Sequence, residues 1–339
     1  MLNRLSGMNV SSRISMKGSH YYFSRLNEEQ KQIYKSMLSG IRTYSKEVKL
    51  PARPINEIST IFNYILLDNP MIFYASSFNQ SSDLYKKKCT LAPEYKYTCR
   101  EVNEKANTIK TYLQVFETVK AKSDNDKELY VHDYCLNHFS YDSTFSDYSH
   151  SVLGPVFSKT AVCEGIANFV KLAFDYLGMK SLIVSGKATT PNNDPRMENH
   201  AWNIVRVDGK LYHLDVTFDM TLKDKVNRYD YFNLPDEDIK QDHIIIDDLP
   251  VCKTTGADYY SQYSLVVHDL TGLESFIGRN LKAGNKSIVF RLVGIPYTED
   301  IADKVIQIAQ QQYIKIHNKS VAVEVSFNPS QMVFEIYYK

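Results

Sequence analysis

Apolar residues recur at spacings of three and four along much of the chain, which places them on one face of a helix. Asn27 is a suitable N-cap for the first such stretch, whose apolar positions extend to Val48. Pro54 suits the first turn of the second stretch, and Asp68-Asn-Pro70 ends it. The pattern predicts helices over 27–48, 54–68 and 103–122, and short strands or extended segments over 72–78 and 95–100.

The segment from Cys163 to Gly178 has a regular apolar stripe and predicts a helix that begins at the cysteine. Downstream, two strand-like runs flank Asp208-Gly209, a dipeptide that favours a two-residue type I′ turn. The chain from Asn199 to Thr217 is therefore predicted to be a β-hairpin.

The predicted turn fixes the register of this hairpin. If Val207 pairs with Lys210, Trp202 lies opposite Asp215, and His200 becomes the diagonal neighbour of Asp215 on the same face. Diagonal neighbours lie about 7–8 Å apart, so a carboxylate at 215 could orient the imidazole. A slip of one residue would turn Asp215 to the other face, so the prediction depends on the turn. Asn203 points to the opposite face and is expected to be structural.

Composition adds few constraints. The 339 residues are 43% hydrophobic and 23% charged, which is ordinary for a globular protein. Forty basic and 39 acidic residues give a net charge of +1, so no general attraction for nucleic acid is expected.

No run of 18 apolar residues and no signal peptide occurs, so no membrane span is expected and a cytoplasmic location is the default. Export stays an alternative if the natural chain begins earlier. The oligomeric state is left open.

Breaks in the pattern divide the chain into predicted regions. Residues 1–22 are polar and are expected to be disordered, and Ser123–Lys127 is a polar break. From about residue 255, strands at 287–293, 321–327 and 331–338 surround a helix at 300–313. The predicted regions are a mainly helical one at 23–125, a catalytic core at 126–250 and a small α/β module at 255–339.

The five cysteines are an odd number, which fits either a free reactive thiol or a chain without disulfides. A helix N-terminus carries partial positive charge and unsatisfied N–H groups, so it lowers the pKa of a thiol there and offers donors to an oxyanion. Cys163 is the candidate nucleophile, His200 the general base and acid, and Asp215 the orienting carboxylate. Trp202 shares their face and is expected to shield the His–Asp contact. The other cysteines are expected to be buried and to pack as small hydrophobic residues: Cys89, Cys99, Cys135 and Cys252.

At these residues the chain resembles the bacterial Cys-Glu-Gly branch of the transglutaminase-like superfamily, whose members have a papain-like fold, so the predicted fold class is α+β. The resemblance covers about residues 126–250 and implies a nucleophile helix packed on an antiparallel sheet. It also implies a protein or peptide substrate and no cofactor. It assigns nucleophile, base and acid to Cys163, His200 and Asp215, with Trp202, Glu164 and Gly165 lining or supporting the site. It is carried by Val162-Cys-Glu-Gly-Ile-Ala167, Asn199-His-Ala-Trp-Asn203, Leu211-Tyr-His-Leu-Asp-Val-Thr217, Tyr141-Asp142, Tyr231-Phe-Asn-Leu-Pro-Asp-Glu237 and Asp242-His243.

Several functions stay open at this point. Peptide or amide hydrolysis is preferred over glutamine deamidation or crosslinking, because crosslinking needs a shaped amine site. The rival from another class is a catalytically silent module that binds a polypeptide, and a thioester-dependent acetyl carrier is less favoured. His132, Cys135 and His138 could face one side of a helix as zinc ligands, but helices more often bury such residues, so no metal is expected.

Overall fold

The computed structural model of the protein describes residues 18, 20–83, 88–189 and 196–339. The fold is α+β, as predicted, and it contains antiparallel sheet. The chain divides into two compact units: Met1–Ser185 with His200–Lys210, and Gly186–Asn199 with Leu211–Lys339. The predicted region boundaries near residues 125 and 250 stay predictions. Residues 190–195, part of the turn-rich segment before His200, lie outside the described residues.

The first long helix of the first unit begins at a capping residue, Asn27. Asn27 accepts the N–H of Gln30, and the Gln30 side chain accepts the N–H of Asn27, which closes a capping box. The helix ends earlier than predicted, because Tyr44 has a φ of 56° and Val48 has entered a strand. The elements are α1 (Tyr21–Arg25), α2 (Glu28–Arg42), β1 (Val48–Pro51) and α3 (Ile55–Asp68).

The predicted disorder of residues 1–22 is wrong for its last residues. Tyr21 and Tyr22 begin α1, and Tyr22 is buried. The Asp68 carboxylate accepts the N–H groups of Tyr22 and Phe23, so the end of α3 holds the start of α1. Residues 1–17 and 19 lie outside the described residues.

A three-stranded antiparallel sheet stands where two short strands were predicted. Strands β2 (Ala75–Asp83) and β3 (Lys88–Tyr95) pair along their length, and β1 pairs with the other edge of β3. The prediction of a strand over 95–100 is wrong beyond Tyr95, because Thr98 caps helix α4 (Cys99–Tyr112). The region is thus less helical than its sequence pattern indicates.

The rest of the first unit contains the helix that begins at Cys163. A 3₁₀ helix, Leu113–Val119, follows α4, and Ser123 then caps the next helix. The predicted helix at Cys163 is confirmed, and it ends at Gly178 with a φ of 75°. The elements are α5 (Asp124–His138), β4 (Ser140–Tyr141), β5 (Thr160–Ala161), α6 (Cys163–Leu177), β6 (Lys180–Ala188) and β7 (Glu198–Val207).

The second unit continues from the hairpin turn. Strand β8 (Lys210–Leu214) is followed by α7 (Val216–Leu222), β9 (Phe232–Leu234), α8 (Asp236–Ile239) and β10 (His243–Ile245). Strand β9 pairs antiparallel with β8, and β10 pairs antiparallel with the end of β6, His243 facing Ala188. Phe218, Tyr231 and Leu234 lie in a buried cluster between these elements.

The C-terminal elements confirm the predicted alternation of strand and helix. The four-stranded sheet has the order β11-β12-β14-β13, and the two longer helices of this part pack in the same buried cluster as the sheet. The elements are α9 (Tyr259–Gln262), β11 (Val266–Val267), α10 (Leu270–Lys282), β12 (Ser287–Leu292), α11 (Ile301–His317), β13 (Val323–Asn328) and β14 (Val333–Tyr338).

Within the described ranges, no helix is both long and apolar enough to cross a membrane.

Candidate active site

Cys163 is the first residue of α6 and is partly exposed. The N-cap residue, Val162, has no side-chain oxygen, and α6 has no side-chain cap. The N–H of Cys163, in the first turn, has no acceptor within the helix, so it is available to a ligand. Position and exposure therefore both suit a nucleophile.

Strands β6 and β7 are neighbours in the sheet, and α6 packs on both of them. Cys163 packs against a small buried cluster formed by Ala167, Ile183 and Ala201. Ala201 directly follows His200 in β7, so the candidate base lies on the strand beside the candidate thiol. The predicted placement of Asn203 is also found, because its amide donates to the carbonyl of Ala167 at 3.1 Å.

His200 is partly exposed, and its ring lies over that of Trp202. The two ring centroids are 5.9 Å apart with an interplanar angle of 18°. Trp202 itself is 1% exposed. The two rings are therefore nearly parallel neighbours, and the shielding role expected for Trp202 stays a prediction.

The turn after β7 is the two-residue kind. Asp208 and Gly209 have φ values of 48° and 85°, and a type I′ turn requires positive φ at both positions. Glycine takes this conformation freely, and aspartate tolerates it better than most residues. The turn on which the predicted register depends is confirmed.

Asp215 was predicted to lie on the second strand of the hairpin. It is instead the N-cap of α7. One carboxylate oxygen, Oδ1, accepts the N–H groups of Thr217 at 2.9 Å and Phe218 at 3.0 Å. The prediction failed here because Asp-Val-Thr continues the apolar alternation of β8, whereas the local hydrogen bonds of aspartate favour a helix cap. Asp215 is completely buried.

His243 is the partner of Asp215 within the second unit, and the sequence pattern did not single it out for this. Its Nε2 lies 3.0 Å from Asp215 Oδ2, and its Nδ1 lies 2.6 Å from Asp242 Oδ1. Tyr231 donates its hydroxyl to the second oxygen of Asp242 at 2.5 Å. Burial, followed by the charge of Asp242, raises the pKa of Tyr231 well above its ordinary value. The Asp215 carboxylate is held by fixed groups on both oxygens.

Glu164 and Gly165 complete the Cys-Glu-Gly motif. Glu164 is exposed, and its carboxylate meets His150 Nδ1 at 3.0 Å. Gly165 is buried, and a Cβ there would lie 2.2 Å from the carbonyl oxygen of Ser149. The same carbonyl accepts the N–H of Val162 at 3.2 Å. Only glycine lets the start of α6 approach the preceding loop this closely.

That loop is organised around Asp142. Its carboxylate accepts the N–H and hydroxyl groups of Thr144 and Ser146 and the hydroxyl of Ser149. These hydrogen bonds, the one from Ser149 contributing most, hold the pKa of Asp142 well below its usual range. Tyr141-Asp142 was part of the sequence resemblance, and the serines and threonine that follow were the signal for this role.

The predicted metal alternative on α5 is not assembled. His132 and Cys135 are buried, whereas His138 is exposed and stacks on Tyr134 with ring centroids 4.0 Å apart. Burial alone raises the pKa of Cys135. The three residues therefore do not present ligands to one point.

A different set, His213, Asp236 and Cys252 in the second unit, has ligand atoms within 4.8 Å of one another. Their types suit Zn²⁺. However, Asp236 Oδ1 already lies 3.0 Å from His213 Nε2 and accepts the Cys252 N–H at 3.0 Å. Burial raises the pKa of Cys252 to about 12. His213, expected to be partly exposed, is completely buried.

Comparison with known families finds a match for part of the chain. The family model of the transglutaminase-like superfamily matches residues 109–216. Over these residues the chain is similar to the transglutaminase-like superfamily. This transglutaminase-like segment contains α5, α6, β6, β7 and β8, together with all three residues of the predicted triad. No curated protein matches the chain.

Solved structures give partial matches. A candidate cysteine protease from Cytophaga hutchinsonii is 13% identical with a TM-score of 0.28, and the match covers 42% of this chain and 61% of that protein. A TGase is 18% identical with a TM-score of 0.29, and the match covers 54% of this chain and 53% of the other. The chain thus spans between half and two thirds of the length of these two structures.

Proposed function

We propose that the protein is a thiol enzyme that transfers acyl groups from amide bonds of a protein or peptide, with Cys163, His200 and Asp215 as its catalytic residues. The observation that carries this proposal is the position of Cys163. It is partly exposed at the uncapped start of α6, and it packs against Ala201, the neighbour of His200. A catalytically silent fold has no need of an accessible thiol at this point.

The proposed reaction has two stages. The Cys163 thiolate attacks the substrate carbonyl, a C–S bond forms, and the C–N bond breaks as the His200 imidazolium protonates the leaving amine. Water then attacks the acyl-thioester, His200 accepts its proton, and the thiolate leaves as the acid is released. The N–H of Cys163 stabilises the oxyanion in both stages. No cofactor takes part.

Asp215 is the proposed orienting carboxylate. A carboxylate beside a catalytic histidine fixes its tautomer and stabilises the imidazolium form. The two-residue turn at Asp208-Gly209 is the turn from which the role of Asp215 was predicted, and Asp215 follows directly after β8 as the cap of α7. The hydrogen bonds of Asp215 to the start of α7 and to His243 support the role further, because a fixed carboxylate orients its partner better than a mobile one.

Trp202, Glu164 and Gly165 are proposed as supporting residues. The Trp202 ring covers one face of His200 and excludes water from it. Gly165 allows the close approach that sets the position of the helix start. Glu164 and its partner His150 are exposed directly beside the nucleophile, where a substrate would contact them.

Hydrolysis is the proposed outcome, since water is always present and an amine acceptor would need a site of its own. Incubation of a casein digest with the enzyme, followed by mass spectrometry, separates the possibilities. New peptide termini indicate hydrolysis, a mass increase of about one unit at glutamine indicates deamidation, and incorporation of dansylcadaverine indicates crosslinking. Loss of every product in Cys163→Ala is expected.

The proposal itself is tested by iodoacetamide labelling of Cys163 as a function of pH, in the wild-type protein and in His200→Ala. An activated thiolate should label rapidly at about pH 7 or below, and His200→Ala should slow it by about tenfold or more. If Cys163 labels like an unfolded-state thiol, the catalytic role is wrong and the polypeptide-binding alternative replaces it.

A further inference from the structure

Phe145 stands out in the loop before α6. Its side chain is 64% exposed, and its φ is 54°, in the left-handed region. That region is uncommon for residues other than glycine, asparagine and aspartate, and a bulky aromatic residue is an outlier there. Neither the exposure nor the backbone conformation of Phe145 helps the fold, because an exposed ring buries little apolar surface.

The surrounding hydrogen bonds hold Phe145 in this conformation. Asp142 Oδ1 accepts the N–H of Thr144 at 2.8 Å, and Oδ2 accepts the N–H of Ser146 at 3.0 Å. The residues on both sides of Phe145 are therefore bound to one buried carboxylate. A strained conformation that neighbouring residues enforce is a feature of functional sites.

Neighbouring side chains lead from Phe145 to the residue that follows Cys163. The Phe145 and His150 ring centroids are 6.5 Å apart with an interplanar angle of 22°. His150 Nδ1 lies 3.0 Å from the carboxylate of Glu164, the residue that follows Cys163. The exposed aromatic face thus belongs to the surface around the start of α6.

From this arrangement we infer that Phe145 is a specificity-determining residue that contacts an apolar side chain of the polypeptide substrate close to the reacting amide. The inference rests on the proposed function and names the substrate class that the site prefers. A flat apolar ring gains most from contact with an aromatic or large aliphatic side chain. The exposed polar pair His150 and Glu164 could hydrogen-bond to the substrate backbone beside the Phe145 ring.

The test uses peptidyl fluoromethyl ketones, which alkylate a catalytic thiolate: its sulfur attacks the methylene carbon, a C–S bond forms, and fluoride leaves. Four probes suffice: one with glycine at the three residues before the ketone, and three with a single phenylalanine in turn. The wild-type protein should react with one phenylalanine probe roughly fivefold to tenfold faster than with the glycine probe. Phe145→Ala should lose that preference, and Phe145→Leu should keep part of it.

Controls separate this inference from the proposed function. Phe145→Gly should be at least as stable as the wild type, because glycine takes a positive φ without strain, yet it should lose the preference. Tyr297→Ala removes an aromatic residue of 55% exposure from the second unit. It should leave the preference for the phenylalanine probe unchanged.

The outcomes are distinct. A wild-type protein without preference, or a Phe145→Ala variant that keeps it, overturns the inference while rapid iodoacetamide labelling of Cys163 still supports the proposed function. Labelling by iodoacetamide but by none of the ketones also overturns the inference. Failure of both reagents contradicts the proposed function, and the inference with it.

Discussion

Helices α4 and α6 both begin with a partly exposed cysteine, but their N-termini differ. At α4, Thr98 accepts the N–H of Glu101, and Glu101 accepts the N–H of Thr98, so a capping box closes the helix start. At α6 the corresponding positions are Val162 and Gly165, which have no side-chain acceptor. The first turn of α6 therefore has no side-chain cap. A cysteine at a helix start therefore does not by itself indicate a site, and the missing side-chain cap is what distinguishes the start of α6 from that of α4.

The largest expected effect is the difference in acyl-transfer activity between variants of the two cysteines, Cys163 and Cys99. Cys163→Ala should reduce acyl transfer by about a thousandfold or more, because the covalent route is lost. Cys99→Ala should keep near wild-type activity. Release of new peptide termini from the casein digest measures both variants. Equal losses in the two would mean that the helix starts do not differ in function.

Gly165 and Gly278 provide the second test. A Cβ at Gly165 would lie 2.2 Å from a backbone oxygen of Ser149, whereas one at Gly278 in α10 meets only the end of the Gln312 side chain at 3.4 Å. Gly165→Ala should destabilise the protein by about 2–4 kcal/mol. Gly278→Ala should be neutral or stabilise it by up to about 1 kcal/mol. Urea unfolding monitored by circular dichroism measures both. A tolerated Gly165→Ala would contradict the close approach of α6 to its loop.

Labelling rates provide the third comparison, of intermediate size. At about pH 7, iodoacetamide should modify Cys163 roughly 10–100 times faster than Cys99. In His200→Ala the two rates should become similar, because only Cys163 has the proposed base beside it. Peptide mass spectrometry after timed quenching gives both rates in one sample. If the ratio of the Cys163 and Cys99 labelling rates is unchanged in His200→Ala, His200 is not the base of the proposed mechanism.

The cap of α4 allows a smaller test. Thr98→Ala should destabilise the protein by about 1 kcal/mol, since the N–H of Glu101 loses its acceptor. It should leave the labelling rate of Cys163 unchanged, because that thiol belongs to a different helix. The variant needs both unfolding and labelling measurements. A change in the Cys163 rate would show that the two helix starts are coupled.

The smallest expected effect is the pH dependence of that cap. The hydrogen bond from the Thr98 backbone, more than any other cause, lowers the pKa of Glu101 below its ordinary 4.5. A carboxyl with a lowered pKa stabilises the fold above its unfolded-state pKa, and that contribution is lost as the pH falls through the folded-state value. Glu101→Gln should therefore cost stability at pH 7 and progressively less as the pH falls below about 4.5. Urea unfolding at several pH values measures this; a cost that grows on acidification would contradict the assigned sign.

Much of the fold was predictable because its signals are local. Nearby apolar spacing, the capping residue Asn27 and the proline at 54 predict the starts of α2 and α3, the helix that begins at Cys163 and the alternation of the C-terminal elements. The three-stranded sheet was underestimated, since its polar strands carry little apolar alternation and are stabilised by pairing over distance. Cys99 was expected to be buried but is partly exposed, because Thr98 starts a helix where a strand was predicted.

The sequence by itself determined the helix that begins at Cys163, the hairpin turn and the residue types of the candidate triad. The turn could be read because Asp-Gly has a strong local preference for positive φ. Only the tertiary structure decided that Asp215 caps α7 and meets His243, that Gly165 approaches Ser149, and that Asp142 holds Phe145 in an exposed conformation. These contacts join residues through packing and buried hydrogen bonds, whose partners no local pattern specifies.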